Sequence, residues 1–241
     1  MDGIKRFERK CLLTLPAYYR LKAALRVHLE PDRYTPLAPG RRYLVRSIYY
    51  DSRDYRAYFE KESGNYGRIK LRIRAYNDSA DSPGPISVEL KARTGDTMTK
   101  YTTRVSYDEY MEFERTRHWP DRSDPVVMEF ERLVHVRALV PVVLVQYRRE
   151  GFVSRERLPL RVTLDHGVVS ARAASLFPER SILKPHRPNH VILETKTSDG
   201  EPRWLTDLVM EHSLRVMANS KYVQGIEVIR PDMVTPREAV Q

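Results

Sequence analysis

The sequence predicts an α+β fold centred on a closed antiparallel eight-stranded β-barrel with helices packed outside, and three observations predict it. In Arg68-Ile69-Lys70-Leu71-Arg72-Ile73-Arg74 and Glu89-Leu90-Lys91, charge alternates strictly with aliphatic side chains. A strand turns successive side chains to opposite faces, so each segment has one oily and one charged face. The alternation returns in Gln146-Tyr147-Arg148-Arg149, in Arg161-Val162-Thr163-Leu164-Asp165 and in Ile192-Leu193-Glu194-Thr195-Lys196. Finally, about eight strand-like segments fall largely into hairpins with helices between them, which fits an antiparallel barrel better than a βαβ sheet. An ordinary half-solvated sheet accounts for any one charged face. Repetition across strands, with carboxylates set among the cations, points to a shared anion site.

The elements follow in chain order. Phe7-Glu8-Arg9-Lys10-Cys11-Leu12-Leu13 reads as a strand, and residues 15–29 carry helical apolar spacing, with Pro16 suited to the first turn. A Pro- and Gly-containing segment over 31–40 leads into the β-formers Tyr43-Leu44-Val45-Arg46-Ser47-Ile48-Tyr49-Tyr50, and Asp51-Ser52 then supplies a helix cap. A short helix is expected over 53–62, a turn at Ser63-Gly64-Asn65, the long basic strand over 66–76 and a loop over 77–85. Strands over 86–92 and 100–105 flank Arg93-Thr94-Gly95-Asp96, whose size and chemistry suit a hairpin.

Helices are expected over 107–115 and 125–139, the second capped by Asp124 and stopped by Pro141. A second hairpin joins 142–153 to 158–165. Beyond a polar loop come a strand over 191–196, an amphipathic helix over 202–217, and a segment over 222–229 that allows a short strand or a turn of helix. Barrel closure makes each strand choose its inward face. If the apolar faces lie under the helices, the lumen becomes a basic tunnel.

The chain of 241 residues is expected to form one domain, 1–241. Its formal charge of +10 favours an anionic partner without separating nucleic acid, acidic lipid and phosphorylated small molecules. Cys11 is the single cysteine, which excludes an intrachain disulfide and a thiolate zinc cluster and makes a reducing cytoplasm the simplest setting. Met1-Asp2-Gly3-Ile4-Lys5-Arg6 lacks a signal-peptide core, and no apolar run is long enough to cross a bilayer. Action at a membrane would therefore need a membrane partner.

Eight motifs then occur in the order seen in a known family. They are Phe7-Glu8-Arg9-Lys10, Ser47-Ile48-Tyr49-Tyr50-Asp51-Ser52, Lys70-Leu71-Arg72-Ile73-Arg74, Glu89-Leu90-Lys91, Tyr147-Arg148-Arg149-Glu150-Gly151-Phe152, Arg161-Val162-Thr163-Leu164-Asp165, Leu193-Glu194-Thr195-Lys196 and Ser220-Lys221-Tyr222. Each is weak alone; eight in sequence are specific. From Phe7 to about Ile229 the chain resembles the vacuolar transporter chaperone (VTC) domain, within the CYTH-like triphosphate tunnel metalloenzymes.

The resemblance implies a tunnel that binds ATP, triphosphate or polyphosphate, with a divalent Mn²⁺ or Mg²⁺ ion held by glutamate. Catalytic VTC domains make polyphosphate from ATP, while other tunnel enzymes hydrolyse triphosphates or cyclise ATP. Carried over by motif, Lys10, Arg72, Arg74, Lys91, Lys100, Arg149, Arg161 and Lys221 line the phosphate path, with Arg72, Arg74, Lys91, Arg149 and Lys221 implied as catalytic. Glu194 is the leading metal ligand, followed by Glu8 and Glu89. Lys196 and Ser220 assist at the phosphate, and Tyr147 either contacts phosphate or packs the barrel. One departure stands out: tunnel hydrolases begin with ExExK, whereas this chain reads Arg6-Phe7-Glu8-Arg9-Lys10. Losing the first acidic place agrees better with the polymerase branch than with a two-metal hydrolase.

The residue types suit this chemistry on their own terms. Arg forks grip nonbridging phosphate oxygens and Lys supplies point charge. Phosphoryl transfer needs chiefly positioning and charge neutralisation, and Mg²⁺ or Mn²⁺ needs hard oxygen ligands. His186 and His190 are four apart, but Pro188 spoils a helix across them and no third zinc ligand is evident. The aromatics Tyr43, Tyr49, Tyr50, Tyr55, Tyr58 and Phe59 read as packing rather than as a base-stacking platform. Three functions stay open: a phosphotransferase making polyphosphate, a triphosphate hydrolase, and a noncatalytic polyphosphate-binding module. Specific nucleic-acid binding is disfavoured, since a duplex is too wide for a narrow lumen.

Overall fold

The computed structural model describes residues 7–64, 66–77, 84–95, 97–198 and 200–234. In chain order the elements are β1 (Phe7–Thr14), α1 (Leu15–His28), β2 (Leu29–Pro31), β3 (Tyr43–Asp51), α2 (Arg56–Glu62), β4 (Gly67–Ala75), β5 (Ile86–Thr94) and β6 (Thr97–Val105). They continue with α3 (Tyr107–Thr116), α4 (Pro125–Val136), β7 (Val140–Ser154), β8 (Leu160–Ala171), β9 (Lys184–Pro185), β10 (His190–Thr197), α5 (Arg203–Glu211) and α6 (Lys221–Ile229). Residues 1–6, including Arg6 of the first motif, lie outside the described residues. So do Asn65, Asp96 and most of the expected loop over 77–85.

The chain forms two compact units, and β3, β7 and β8 each run through both. The first comprises Met1–Leu44, Tyr147–Val168 and Arg187–Ser220. Its strands are ordered β1-β10-β8-β7, with the short β2 also paired to β7. Helix α1 begins because Thr14 accepts a hydrogen bond from the Ala17 N–H and Pro16 fits the first turn. Its Tyr18, Leu21 and Leu25 are buried with Leu13, Val162, Leu164, Leu193 and Leu205 of α5. Each fully buried Leu or Val contributes about 2 kcal/mol. Cys11 is a free, buried thiol in this cluster.

The second unit comprises Val45–Gln146, Val169–His186 and Lys221–Gln241. Its strands are ordered β7-β3-β4-β5-β6, and β9 pairs with β8. Leu71, Ile73, Val88 and Leu90 turn their apolar face to Tyr110 and Phe113 of α3 and Phe130 and Leu133 of α4. Ser106 and Glu109 form a capping box on α3, and Asp124 caps α4 as expected. Asp51 accepts hydrogen bonds from the N–H groups of Ala57 and Tyr58, so the expected cap at the end of β3 holds the start of α2.

The structure corrects the expected closed eight-stranded barrel. There are ten strands among the described residues, two of them short, and their hydrogen-bonding order is open, ending at β1 and β6. The outer edge of β1 is already occupied: Cys11 bridges Val216, and the Met217 N–H donates to the Lys10 carbonyl. Helix α5 stops at Glu211 rather than continuing to 217, since Ser213 takes φ 50° and the Leu214 N–H turns back to the Val209 carbonyl. Helix α4 ends at Val136 for a similar reason, with Ala138 at φ 48° and the Leu139 N–H bonded to Val134, and Pro141 lies inside β7. Residues 221–229 are helical. Gly225 lets that helix approach the sheet, where a Cβ would meet Ser170 Oγ at 2.9 Å and Val143 Cγ2 at 3.2 Å.

Candidate functional site

In the second unit the face of β4, β5 and β6 opposite the core is cationic. Antiparallel register sets Arg72 against Glu89, Lys70 against Lys91, Arg74 against Ser87 and Arg68 against Arg93. On the next strand Lys91 lies against Lys100 and Ser87 against Arg104. Strict alternation thus puts Arg68, Lys70, Arg72, Arg74, Lys91, Arg93, Lys100 and Arg104 on one face with one carboxylate of these three strands, Glu89. Two like charges at 6 Å repel by about 3 kcal/mol at an effective dielectric of 20. Such a face favours a multivalent anion.

Glu89 organises part of this charge. Arg72 donates to its Oε2 from Nε at 2.9 Å and from Nη2 at 2.6 Å, Lys100 Nζ lies 3.0 Å from the same oxygen, and Arg74 Nε lies 3.9 Å from Oε1. The carboxylate is buried, yet the surrounding cations outweigh the cost of desolvation and hold its pKa well below the ordinary range. Desolvation lowers the pKa of Lys100; Glu89 opposes that shift, and Arg72 and Arg74 add to it.

From β3, Tyr49 accepts a hydrogen bond from Arg72 Nη1 at 3.1 Å, and Ser47 accepts one from Arg74 Nε at 3.0 Å. Burial alone would raise the Tyr49 pKa; Arg72, Arg74 and Lys221 reverse the shift and lower it. Lys221, at the start of α6, therefore contributes to the same positive field. Lys70 also lies over the Tyr222 ring, 5.1 Å from its centroid. The aromatic expectation is met by Tyr50, packed against Phe113 and Phe130, whereas Tyr49 turns a hydroxyl to the cations.

In the first unit, register sets Lys10 against Glu194, Glu8 against Lys196, Glu194 against Thr163 and Lys196 against Arg161. Glu194 is nearly buried, with Lys196 Nζ 2.8 Å from Oε1 and Arg149 Nη2 3.7 Å from Oε2. Lys10 pairs with Glu8 at 2.7 Å and donates to the Asn219 carbonyl at 3.0 Å, next to Ser220. Arg149 lies over the ring of buried Tyr147, with its guanidinium carbon 5.2 Å from the centroid. Arg161 donates at the rim to Asp32 at 3.1 Å and to the Tyr43 hydroxyl at 3.3 Å.

Asp165 is a participant that sequence reasoning quoted within a motif without assigning it a role. It is fully buried and accepts two hydrogen bonds from Arg149, at 2.6 and 2.9 Å. Desolvation opposes the Arg149 charge, but Asp165 more than compensates and raises its pKa. Its sequence signal was parity: Asp165 shares the face of Arg161 and Thr163. Tyr49 and Ser47 carried the corresponding signal on β3. The Glu194 and Glu8 donors are carboxylate oxygens set among phosphate-binding residue types, a donor chemistry that fits Mg²⁺ or Mn²⁺. Among the described residues no helix is long and apolar enough to cross a membrane.

The sequence matches the VTC domain over residues 5–230. A candidate adenylate cyclase, bh2851 from Bacillus halodurans, shares the fold with TM-score 0.54 and 17% identity, over 90% of this chain and 94% of that one. HpAC1 from Hippeastrum, a candidate adenylyl cyclase described as having a dominant triphosphatase activity, aligns with TM-score 0.50 and 13% identity, over 96% of this chain and 99% of its own. No curated protein matches in sequence.

Proposed function

The chain belongs to the VTC domain family, and from that premise we propose that it is a metal-dependent phosphotransferase making polyphosphate from ATP. The proposal treats residues 1–241 as one functional domain in a reducing cytoplasm. The observation that carries it is the face of β4, β5 and β6, where eight cations share one side with the carboxylate Glu89 and three of them, Arg72, Arg74 and Lys100, lie within 4 Å of it. Triphosphate chemistry of some kind is supported by family and fold together; synthesis is the finer reading, favoured by Arg6 in the first motif.

In this reading, on the face of the second unit, Arg72 and Arg74 grip nonbridging oxygens, Lys91 and Lys221 supply charge, and Lys100 belongs to the same cationic face. Glu89 pins Arg72 and Lys100 in position, a role that suits it better than direct metal ligation. In the first unit, Arg149 is oriented by Asp165, and Lys10, Arg161, Lys196, Ser220 and Tyr147 are that unit's own proposed phosphate contacts. Glu194, with Glu8 as a second oxygen donor, would hold Mn²⁺ or Mg²⁺, which supplies Lewis-acid neutralisation of phosphate charge. A terminal phosphate oxygen attacks the γ-phosphorus of ATP, a new P–O bond forms, and the bond to ADP breaks with its electron pair leaving on ADP. No side-chain nucleophile is required.

Hydrolysis is the second reading, because the same cations would serve attack by water and the Hippeastrum protein of similar fold is described as a triphosphatase. Incubation with ATP and Mn²⁺ or Mg²⁺, with polymer, ADP and free phosphate resolved separately, distinguishes them. Polymer with matching ADP supports synthesis; free phosphate without polymer supports hydrolysis. Neither product, despite tight polyphosphate binding, would leave a binding module and overturn the enzymatic proposal.

A further inference from the structure

On the helical side of the second unit, three side chains outside the phosphate-binding reading converge. One donor atom from each of His118, Glu131 and His135 lies within 4.8 Å of the other two. Glu131 and His135 are four residues apart on α4, one turn above the other on the same face. His118 reaches them from the segment joining α3 to α4.

Their hydrogen bonds are unequal in quality. Glu131 is held by one oxygen: Oε2 accepts the Trp119 N–H at 2.7 Å, which leaves Oε1 toward the cluster. His118 Nδ1 lies 2.9 Å from that Oε1, while Arg122 Nη2 lies 2.7 Å from Oε1 and 3.0 Å from the same Nδ1. An imidazole nitrogen carries in its ring plane either a proton or a lone pair. His118 Nδ1 therefore cannot donate to Glu131 and accept from Arg122 together, and one contact is always mismatched. His135 has no such conflict. Its Nε2 lies 3.0 Å from the Arg117 carbonyl, an acceptor, so Nε2 carries a proton and the neutral ring keeps its lone pair on Nδ1. The two imidazoles stack with centroids 4.7 Å apart and planes at 22°.

We propose that His118, Glu131 and His135 bind a first-row divalent metal ion of the Zn²⁺ class, tying the segment between α3 and α4 to helix α4. Two imidazoles and a carboxylate are a donor set that Zn²⁺ accepts with a fourth position left for water. Tetrahedral bonds of about 2.1 Å set donors roughly 3.4 Å apart. Stacked rings cannot both aim an in-plane lone pair at one ion, so the exposed His118 ring turns out of the stack as the cluster closes. Arg122, whose side chain is 53% exposed, turns into water and the mismatch at His118 disappears. Nitrogen donors separate this site from Glu194 and Glu8, whose oxygens suit Mg²⁺ or Mn²⁺.

Calorimetric titration of Zn²⁺ into the tag-free full chain near neutral pH, with thermal unfolding alongside, tests the proposal. Wild type should take up one Zn²⁺ per chain and unfold at a higher temperature with the metal. His118→Gln and His135→Gln, both at exposed positions, should each weaken binding at least about tenfold and lose the thermal shift. Glu194→Gln should keep both, and excess Mg²⁺ should not compete. Absence of saturable Zn²⁺ binding by wild type, unchanged binding in either histidine variant, or loss of binding in Glu194→Gln would overturn it. Glu131 is left intact because it also holds the Trp119 backbone.

Discussion

Arg149 donates two hydrogen bonds to the fully buried carboxylate of Asp165, Nε to Oδ1 at 2.6 Å and Nη2 to Oδ2 at 2.9 Å, and so fixes the plane of its guanidinium. The same Nη2 lies 3.7 Å from Glu194 Oε2. The ion pair is withdrawn from water and stands beside Glu194, the proposed metal ligand. Asp165→Asn leaves a buried Arg with half its partner, so it should cost about 3 kcal/mol of stability. It should also weaken triphosphate binding at permissive temperature, measured by denaturant unfolding and calorimetry on the same sample. Weaker stability with unaltered binding would assign Asp165 a purely structural role.

Glu89→Gln separates two roles. If Glu89 only pins Arg72 and Lys100, its loss leaves the cationic face with one fewer negative charge, and tripolyphosphate binding should hold or tighten. Metal-dependent turnover should persist within about tenfold, since one charge-assisted hydrogen bond is worth roughly 1.5 kcal/mol. Loss of turnover with a raised metal requirement would instead make Glu89 a ligand.

Acid should destabilise the protein through particular carboxylates. Glu150, on the opposite face of β7 from Arg149, is buried among Tyr18, Lys22, Arg42 and His166. Burial would raise its pKa, but the nearby His166 ring and hydrogen bonds from Lys22 and Tyr18 outweigh that and depress it, as the cations beside Glu89 do there. A depressed carboxylate contributes its full stabilisation above its ordinary pKa of 4.5 and loses it as pH falls toward the folded value. Urea midpoints should therefore be flat near neutrality and fall below about pH 4.5. Glu150→Gln should lose about 3 kcal/mol at neutral pH and show a shallower acid limb. An acid limb identical to wild type would remove Glu150 from the explanation.

Gly151 is required by its neighbour rather than by its backbone angle. A Cβ there would run into the carboxylate of Asp32, which also accepts hydrogen bonds from Thr35 and Arg161. Gly151→Ala should cost about 2 kcal/mol, and thermal unfolding checks it. Wild-type stability in this variant would mean that the Asp32 loop yields freely.

Much of this architecture was legible. The alternation of Arg72, Ile73 and Arg74 correctly assigned one face to the core and the other to cations, because a period of two has only two solutions once Leu71 and Ile73 are buried. Interior partners were harder. Asp165 reads as the end of a strand until β7 sets Arg149 beside it, and Tyr49 reads as packing until register sets it opposite Arg72. The segment Tyr222-Val223-Gln224-Gly225-Ile226 fits strand and helix alike by apolar content, and the close approach of Gly225 to Ser170 is long-range information. Barrel closure failed for the same kind of reason: nothing local to β1 indicates that Val216 and Met217 occupy its free edge. The cluster of His118, Glu131 and His135 escaped notice because its first member is thirteen residues from the second along the chain and meets it only when the loop folds back.

The phosphate grip is the central claim, and calorimetric titration of inorganic tripolyphosphate into wild type, Arg72→Ala and Lys91→Ala tests it most directly. Each variant removes one charged contact worth about 1.5–3 kcal/mol, so affinity should fall roughly 10- to 100-fold while the unfolding transition stays cooperative. Undiminished tripolyphosphate affinity in both folded variants would contradict the account.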